Sequence, residues 1–133
     1  MSTLRCTNLQ DTSGGNSLTT AQIYNGAAKA WVNFNGTFAT SPFTTANGGI
    51  RAAFNVSSIT DNGTGDYTVN FSTAFSDTNF ITIGTASNTA AAYGAYLVDY
   101  TPTYARTTSS VRIWTGSSSS LQDSATNNVA VFR

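Results

Sequence analysis

The sequence predicts an all-β fold: an antiparallel β-sandwich, jelly-roll-like, with a short N-terminal extended arm and a short helix. Only 9% of the 133 residues are charged, and threonine, serine, asparagine and glycine separate short apolar runs. Such a composition, rich in β-branched and aromatic residues, favours strands joined by polar turns. The clearest strand is the alternation of Tyr67, Val69 and Phe71 with polar residues, which is the two-residue period of a half-buried strand.

Residues 50–75 predict a β-hairpin, and the other predicted strands are added to this hairpin. Its first arm alternates through Phe54 and Val56, and Ile59 then falls one residue out of step. We expect a β-bulge there that returns Ile59 to the buried face. Residues 60–66 contain two glycines and three Asx residues, which are typical of a turn because they accept positive φ and form local side-chain hydrogen bonds.

The N-terminal residues predict an arm that needs a partner. Residues 1–16 alternate weakly and end in the turn signal Asp-Thr-Ser-Gly-Gly-Asn, with too few apolar side chains to be stable alone. Residues 17–31 predict one or two turns of helix, because Ile23, Ala27 and Trp31 recur at four-residue spacing and a serine or threonine can cap the start. Gly26 weakens this helix.

We therefore divide the chain into residues 1–31, an arm and helix for attachment and oligomerisation, and residues 32–133, the sandwich. An arm that cannot bury itself within one chain is expected to do so around a symmetry axis. The candidate residues for oligomerisation or attachment are Leu4, Cys6, Leu9, Leu18, Ile23, Ala27 and Trp31.

Five further segments predict strands, which brings the total to about seven. Ile81 and Ile83 lie on one face of their segment, and the last apolar run before Pro102 is expected to be largely buried. A polar loop around Pro42 separates the first of these segments from the hairpin. The segments are 31–35, 79–85, 93–100, 111–115 and 128–133.

The residue types present argue against an enzyme. The sequence has no histidine and no glutamate, so it can assemble neither a Ser-His-Asp nor a Cys-His unit, nor a His-ligated zinc site. Two of the six aspartates could flank a glycosidic bond, but five of them sit in turn sequences. Asp61 and Asp66 could hold calcium, against the alternative of a plain turn that the lack of a third carboxylate favours. We predict no catalytic residue, no metal and no cofactor.

The cysteine content and the net charge further narrow the kinds of protein that this sequence can be. Cys6 is the only cysteine, so no internal disulfide can form, and it is expected to act as a small hydrophobe rather than a reactive thiol. The net charge of zero gives no electrostatic case for binding nucleic acid. No apolar run is long enough to span a membrane, and the first residues do not have the pattern of a signal peptide. Synthesis in a cytoplasm is therefore expected.

One aromatic cluster could recognise a ligand. Tyrosines on loops above a rigid sheet stack on sugar rings and bind partner proteins at low entropic cost. The alternative is that Tyr96 and Tyr100 are core or subunit-interface residues. Arginines near the cluster could pair with an acidic glycan or close a salt bridge at its rim. The candidate ligand-binding residues are Tyr93, Tyr96, Tyr100, Tyr104, Arg106 and Trp114.

Two stretches resemble a known group. Residues 2–16, Ser-Thr-Leu-Arg-Cys-Thr-Asn-Leu-Gln-Asp-Thr-Ser-Gly-Gly-Asn, are similar to the N-terminal segment of tailed-phage fibre and virion proteins, especially of marine and cyanobacterial phages. Residues 28–37 and 50–71 resemble the body of the same group, and together the stretches cover roughly the first 85 residues. The loop 38–49 is longer than the group's usual link, and residues 86–133 match nothing in it.

The resemblance implies a non-enzymatic virion structural protein, a homotrimer, whose arm contacts other virion proteins. The leading hypothesis is a fibre-type appendage that attaches to a host-surface glycan or protein. The alternative is a capsid decoration or head-fibre protein that stabilises or projects from the shell. A third possibility, a depolymerase fragment, is disfavoured by the missing histidine and glutamate.

Overall fold

Two antiparallel sheets packed face to face form the body of the protein in the computed structural model. The structure describes residues 6–10, 12–15, 17–87, 96–99, 106–116 and 120–133, and of residues 96–99 it describes the backbone. Within these ranges there are ten strands and one helix. They are β1 (Asn8–Gln10), β2 (Ser17–Thr19), α1 (Thr20–Gly26), β3 (Ala30–Phe34), β4 (Ile50–Phe54), β5 (Val56–Gly63), β6 (Asp66–Phe71), β7 (Ile81–Ser87), β8 (Tyr96–Asp99), β9 (Ser110–Gly116) and β10 (Thr126–Phe132).

Strand order defines the two layers. Sheet I has the order β4-β3-β10-β7, sheet II has the order β5-β6-β9-β8, and every pairing within them is antiparallel. The predicted antiparallel β-sandwich is therefore confirmed. Among the described residues no helix has the length and apolarity needed to cross a bilayer.

The core lies between the sheets and is built by strict alternation. Residues of β3 and β10, such as Val32, Phe34 and Val131, face those of β6 and β9, such as Val69 and Ile113, and all of these are buried. Alternate side chains on a strand point to opposite faces, so one face of each sheet fills the core. The predicted burial of one face of residues 67–71 is confirmed, and residues 111–115, predicted as a strand, show the same alternation.

The predicted hairpin exists, but its first arm is two strands in different sheets. β4 belongs to sheet I and β5 to sheet II, and the chain turns between them at Asn55, whose φ is 53°. The expectation of one continuous arm was wrong for this reason. The β5–β6 pairing shifts register between Val56 and Ser58, and Ile59 is fully buried, so the predicted bulge and its consequence are confirmed. The turn is tighter than predicted, because β5 continues to Gly63.

The connection between β3 and β4 contributes to the core although it was predicted as a polar loop. Phe43 is fully buried and exchanges two backbone hydrogen bonds with Ile59, at 2.8 and 2.9 Å. Its ring lies among those of Phe34, Phe38 and Tyr67, at centroid distances of 5.8–6.2 Å. This loop thereby closes one end of the sandwich.

The N-terminal arm pairs within its own chain. β1 and β2 form a two-stranded antiparallel hairpin in which Leu9 stands opposite Leu18, and the Thr20 amide donates to the Thr7 carbonyl at 2.9 Å. All described residues of this arm, up to residue 27, are exposed. The expected partner strand is therefore β2, and nothing in the described part of the chain covers the hairpin's apolar side chains.

α1 confirms a short helix but not the predicted spacing. Thr19 caps it through a capping box, in which the Gln22 amide donates to Thr19 Oγ1 at 3.1 Å and Gln22 Oε1 accepts from the Thr19 amide at 2.8 Å. The helix ends at Gly26, and Ala27 is already extended. Ala27 and Trp31 therefore do not share a helical face with Ile23, because Trp31 lies in β3.

Candidate functional site

The structure describes part of the predicted ligand-binding set. Tyr93, Tyr100 and Tyr104 lie outside the described residues, so their prediction remains untested. Tyr96 begins β8, where its backbone position pairs with Gly116 of β9. Arg106 and Trp114 are the members whose side chains the structure places.

Arg106 packs against Phe80 at the edge of the core. Its guanidinium donates to the Phe80 carbonyl and lies 5.4 Å from the centroid of the Phe80 ring, which is almost fully buried. A guanidinium stacked on an aromatic face is held there by a cation–π interaction. Arg106 therefore covers the end of the core where β9 begins. Thr107, next to Arg106, pairs with Ser110 at the start of β9, and Trp114 lies about 13 Å further along that strand. Arg106 and Trp114 therefore do not form one site.

Trp114 lies on the outer face of sheet II beside an ion pair. It stands opposite Asp66 in the β6–β9 register and is partly buried. Arg112 lies two residues before Trp114 on the same face. Its Nε and Nη2 donate to the two carboxylate oxygens of Asp66, at 2.7 and 2.5 Å. The Arg112 hydrogen bond, together with its charge and hydrogen bonds from Asn62 and Trp114, lowers the pKa of Asp66 despite its partial burial.

A hydrogen-bonded polar lattice continues from this ion pair across β5 and β6. Asn62 Nδ2 donates to Thr68 Oγ1 at 2.9 Å and to Asp66 at 3.3 Å. Asn70 Nδ2 reaches the hydroxyls of Ser58 and Thr60, at 3.1 and 3.0 Å. The outer face of sheet II is thus a flat array of hydroxyl and amide groups with one indole at its side, a surface chemistry suited to sugar rings. The sequence indicates Asp66 only as a candidate calcium ligand or turn residue and does not place it or Asn62 beside Trp114, because that position depends on strand register.

The outer face of sheet I carries a row of apolar side chains. One cross-strand row places Phe54 opposite Trp31, Trp31 opposite Ala130 and Ala130 opposite Ile83. Phe54, Trp31, Ile83 and the neighbouring Ile81 are between 40% and 61% exposed. Trp31 and Ile83 flank the small Ala130, and the groove between them has a volume of about 480 Å³. We call this surface the sheet I groove, lined by Trp31, Val32, Asn33, Ile83, Gly84, Thr85, Asn128, Val129 and Ala130.

A polar row limits the sheet I groove on one side. Asn33 Nδ2 donates to Asn128 Oδ1 at 2.5 Å, and Asn128 Nδ2 donates to Thr85 Oγ1 at 3.2 Å. Arg51 reaches Asn33 at 3.3 Å and the Ala125 carbonyl at 2.7 Å. Because these groups satisfy one another, the free part of the groove is the apolar row.

The predicted oligomerisation residues divide between this groove and the arm. Trp31 lies in the groove, and Leu4 lies outside the described residues. The others lie on the arm, where all of them are exposed: Cys6, Leu9, Leu18, Ile23 and Ala27. Sequence reasoning missed Phe54 and Ile81 as members of an exposed apolar face, although the prediction that Ile81 and Ile83 share a face is the signal that points to it.

The aspartates of the β5–β6 turn have structural roles. Asp61 Oδ1 accepts from the Gly63 amide at 2.9 Å, and Asp66 is paired with Arg112. Among the described residues no three His, Cys, Asp or Glu side chains converge to form a metal site. Asp61 thus bonds the turn backbone, and Asp66 joins β6 to β9.

Comparison of this chain with protein-family models, curated proteins and solved structures finds no match.

Proposed function

We propose that this chain is a non-enzymatic structural protein of a tailed-phage virion, a fibre-type appendage that assembles with copies of itself and contacts the host surface. The observation that carries the proposal is the exposure of two apolar surfaces on one small chain, the sheet I groove and the arm. Contiguous apolar patches on a soluble domain mark protein–protein contacts. The resemblance of residues 2–16, 28–37 and 50–71 to fibre and virion proteins supports the virion setting.

Assembly is expected to use closed symmetry, with a homotrimer as the expected state. Two different apolar surfaces on the same chain fit a head-to-tail contact, and such contacts form rings when the rotation closes. The arm is also the segment expected to contact other virion proteins. Because few side chains are charged, such contacts require little desolvation of charged groups.

Host contact is assigned to sheet II and the adjoining loops. Trp114 and the polar lattice place an indole beside hydroxyl and amide groups on the outer face of sheet II. These groups match the ring faces and hydroxyls of a surface glycan. A protein receptor is the other partner of suitable chemistry.

The first experiment locates the chain. Mass spectrometry of purified virions, followed by cryo-electron microscopy with a labelled copy of the chain, is expected to find it on the tail. A position on the capsid, with particles lacking the chain infecting normally but breaking under heat or dilution, would indicate a decoration protein instead. Absence from purified virions would overturn the proposal.

The second experiment tests attachment. The purified chain is expected to bind host cells, with binding reduced at least about tenfold by Trp114→Ala. Trp31→Ala, on the opposite sheet, serves as the matched aromatic control, and sedimentation of each variant ensures that binding is compared at the same oligomeric state. Equal loss in both variants would contradict the assignment to sheet II, and digestion of host polysaccharide by the pure chain would contradict a non-enzymatic role.

A further inference from the structure

The arm and the sheet I groove are complementary surfaces that one copy of the chain does not bring together. The arm exposes Leu9, Leu18, Ile23 and Tyr24 at between 40% and 65% of their surface. Leu9 and Leu18 stand opposite each other in the β1–β2 register, so they form a ridge of two side chains on one face of the hairpin.

The groove has the shape that accepts such a ridge. Trp31 and Ile83 both pair with Ala130, from the strands on either side of β10. Adjacent strands lie about 4.8 Å apart, so the two large side chains stand about 10 Å from each other across a small one. The space above Ala130, between the two large side chains, can take a row of leucine side chains.

The arm is held away from the groove of its own copy. The Lys29 amide donates to the Val131 carbonyl at 2.8 Å, the Lys29 ammonium donates to the Tyr24 carbonyl, and Asn55 Nδ2 donates to the Lys29 carbonyl at 3.1 Å. These bonds set α1 over the end of the sandwich, where Tyr24 and Lys29 line a cavity of about 300 Å³ with residues 73–76 and Arg133. Residues 27–29 join α1 to β3 over at most about 14 Å, which keeps α1 at this end of the sandwich, and Leu9 and Leu18 remain exposed in the same copy.

Charge favours this partner as well. Between Arg5 and Lys29 the sequence has a single charged residue, Asp11, and the apolar row of the groove has none. Two neutral surfaces lose little hydration energy when they meet. Packing two grooves face to face would leave Leu9 and Leu18 in water, whereas insertion of the arm covers both surfaces with one kind of interface.

We infer that the sheet I groove binds the N-terminal arm of a second copy of this chain, with the Leu9–Leu18 ridge seated between Trp31 and Ile83. The contact is head to tail, so each copy donates one arm and receives one. This inference rests on the self-assembly part of the proposed function and specifies the two surfaces that meet.

Cysteine cross-linking between differently marked copies tests the contact. In a Cys6→Ser background, one preparation carries Leu18→Cys and another carries Ile83→Cys, and a parallel pair replaces Leu18→Cys with Leu9→Cys. Oxidation of the mixture is expected to give a disulfide-linked pair, identified by its cross-linked peptide, while either preparation alone stays unlinked. Linkage within the Ile83→Cys preparation alone would indicate face-to-face packing and overturn the inference.

Sedimentation of simpler variants provides the second readout. Leu9→Ser with Leu18→Ser is expected to raise the dissociation constant of the assembly at least about tenfold, because each removes an apolar anchor. Leu121→Ser, an exposed leucine away from both surfaces, is expected to leave it unchanged. A stable oligomer without arm-to-groove cross-links would overturn the inference alone, whereas a monomer at all concentrations would overturn self-assembly and the inference together.

Discussion

Tyr67 Oη lies 2.6 Å from Asp123 Oδ1, and this contact joins the core of sheet II to the connection between β9 and β10. Tyr67 is fully buried, and its hydroxyl also lies 2.9 Å from the Gly36 carbonyl. Asp123 Oδ1 in addition accepts from the Gly65 amide at 2.7 Å. The Asp123 carboxylate therefore joins a core tyrosine to the β5–β6 turn.

Tyr67→Phe is expected to lower the free energy of unfolding by about 1–3 kcal/mol, because it removes a hydrogen bond to a charged acceptor. Urea denaturation followed by fluorescence measures the change. Tyr24→Phe is the control, since Tyr24 is exposed and its hydroxyl should contribute little. An equal effect of the two substitutions would contradict a role for the Asp123 contact.

The same contact predicts how stability changes at alkaline pH. Burial, followed by the hydrogen bond and charge of Asp123, raises the pKa of Tyr67 well above its usual value near 10. Above pH 10 the unfolded chain therefore loses a proton that the folded chain keeps, and stability falls by about 1.4 kcal/mol per pH unit. Urea midpoints between pH 8 and 11 should show this fall in the parent chain, and Tyr67→Phe should lack this contribution.

Gly36 is expected to tolerate no side chain. A Cβ there would lie 2.6 Å from Tyr67 Oη, 2.8 Å from Asn127 Nδ2 and 2.8 Å from the Ser124 carbonyl. Gly36→Ala should cost about 2 kcal/mol or more, because buried neighbours must move. Gly26→Ala is the matched control: a Cβ at that helical position meets nothing within 4 Å, and alanine favours a helix by about 1 kcal/mol over glycine. Thermal melts that shift in the same direction for both would refute this explanation.

Much of the sandwich was predictable because alternation decides burial wherever one face of a strand is packed. Val111 and Ile113 show this in β9, and Tyr67 and Val69 show it in β6. Sequence alternation does not reveal which strand belongs to which sheet. It therefore could not show that the chain changes sheets at Asn55, nor that Phe43 enters the core from a loop.

The candidate surfaces were less predictable than the fold. The apolar face of sheet I escapes a period-2 analysis because β7 carries its isoleucines on the outer side, where hydrophobicity normally indicates the core. The partners of Trp114 depend on the register between β6 and β9, which no local pattern specifies. Composition drew attention to tyrosines instead, since they are abundant between residues 93 and 104.

The Asp66–Arg112 pair is expected to stabilise the fold as well as shape the outer face of sheet II. Both side chains are less than 20% exposed, so solvent screens the pair only in part. Asp66→Asn should cost about 1–2 kcal/mol at neutral pH. Asp77→Asn, which breaks the exposed pair with Arg133, should change stability much less.

The sign of the acid dependence follows from the lowered pKa of Asp66. The stabilisation is fully present above the unfolded value near 4 and is lost as pH falls through the lower folded value. The difference in urea midpoint between the parent chain and Asp66→Asn should therefore shrink below pH 4. A difference that stays constant down to pH 2 would show that the carboxylate charge is not the source of the stability.

Asn55 is expected to be the most sensitive position of the connection between the two sheets, for two separable reasons. Its φ of 53° lies in the left-handed region, which costs most residues about 1–2 kcal/mol. Its side chain also donates to the Lys29 and Thr73 carbonyls, at 3.1 and 3.2 Å, and accepts from the Thr73 amide at 2.7 Å. Asn55→Gly removes only these bonds, whereas Asn55→Ala removes them and adds backbone strain.

Asn55→Ala should therefore be less stable than Asn55→Gly by about 1 kcal/mol, and both should be less stable than the parent chain. Equilibrium unfolding in urea measures both differences, with Asn25→Ala on the exposed helix α1 as a control for loss of an asparagine elsewhere. If alanine were as well tolerated as glycine, the positive φ of residue 55 would not limit the stability of the connection between sheet I and sheet II. The side-chain bonds to Lys29 and Thr73 would then be the sole determinant, because they are the contacts that both substitutions remove.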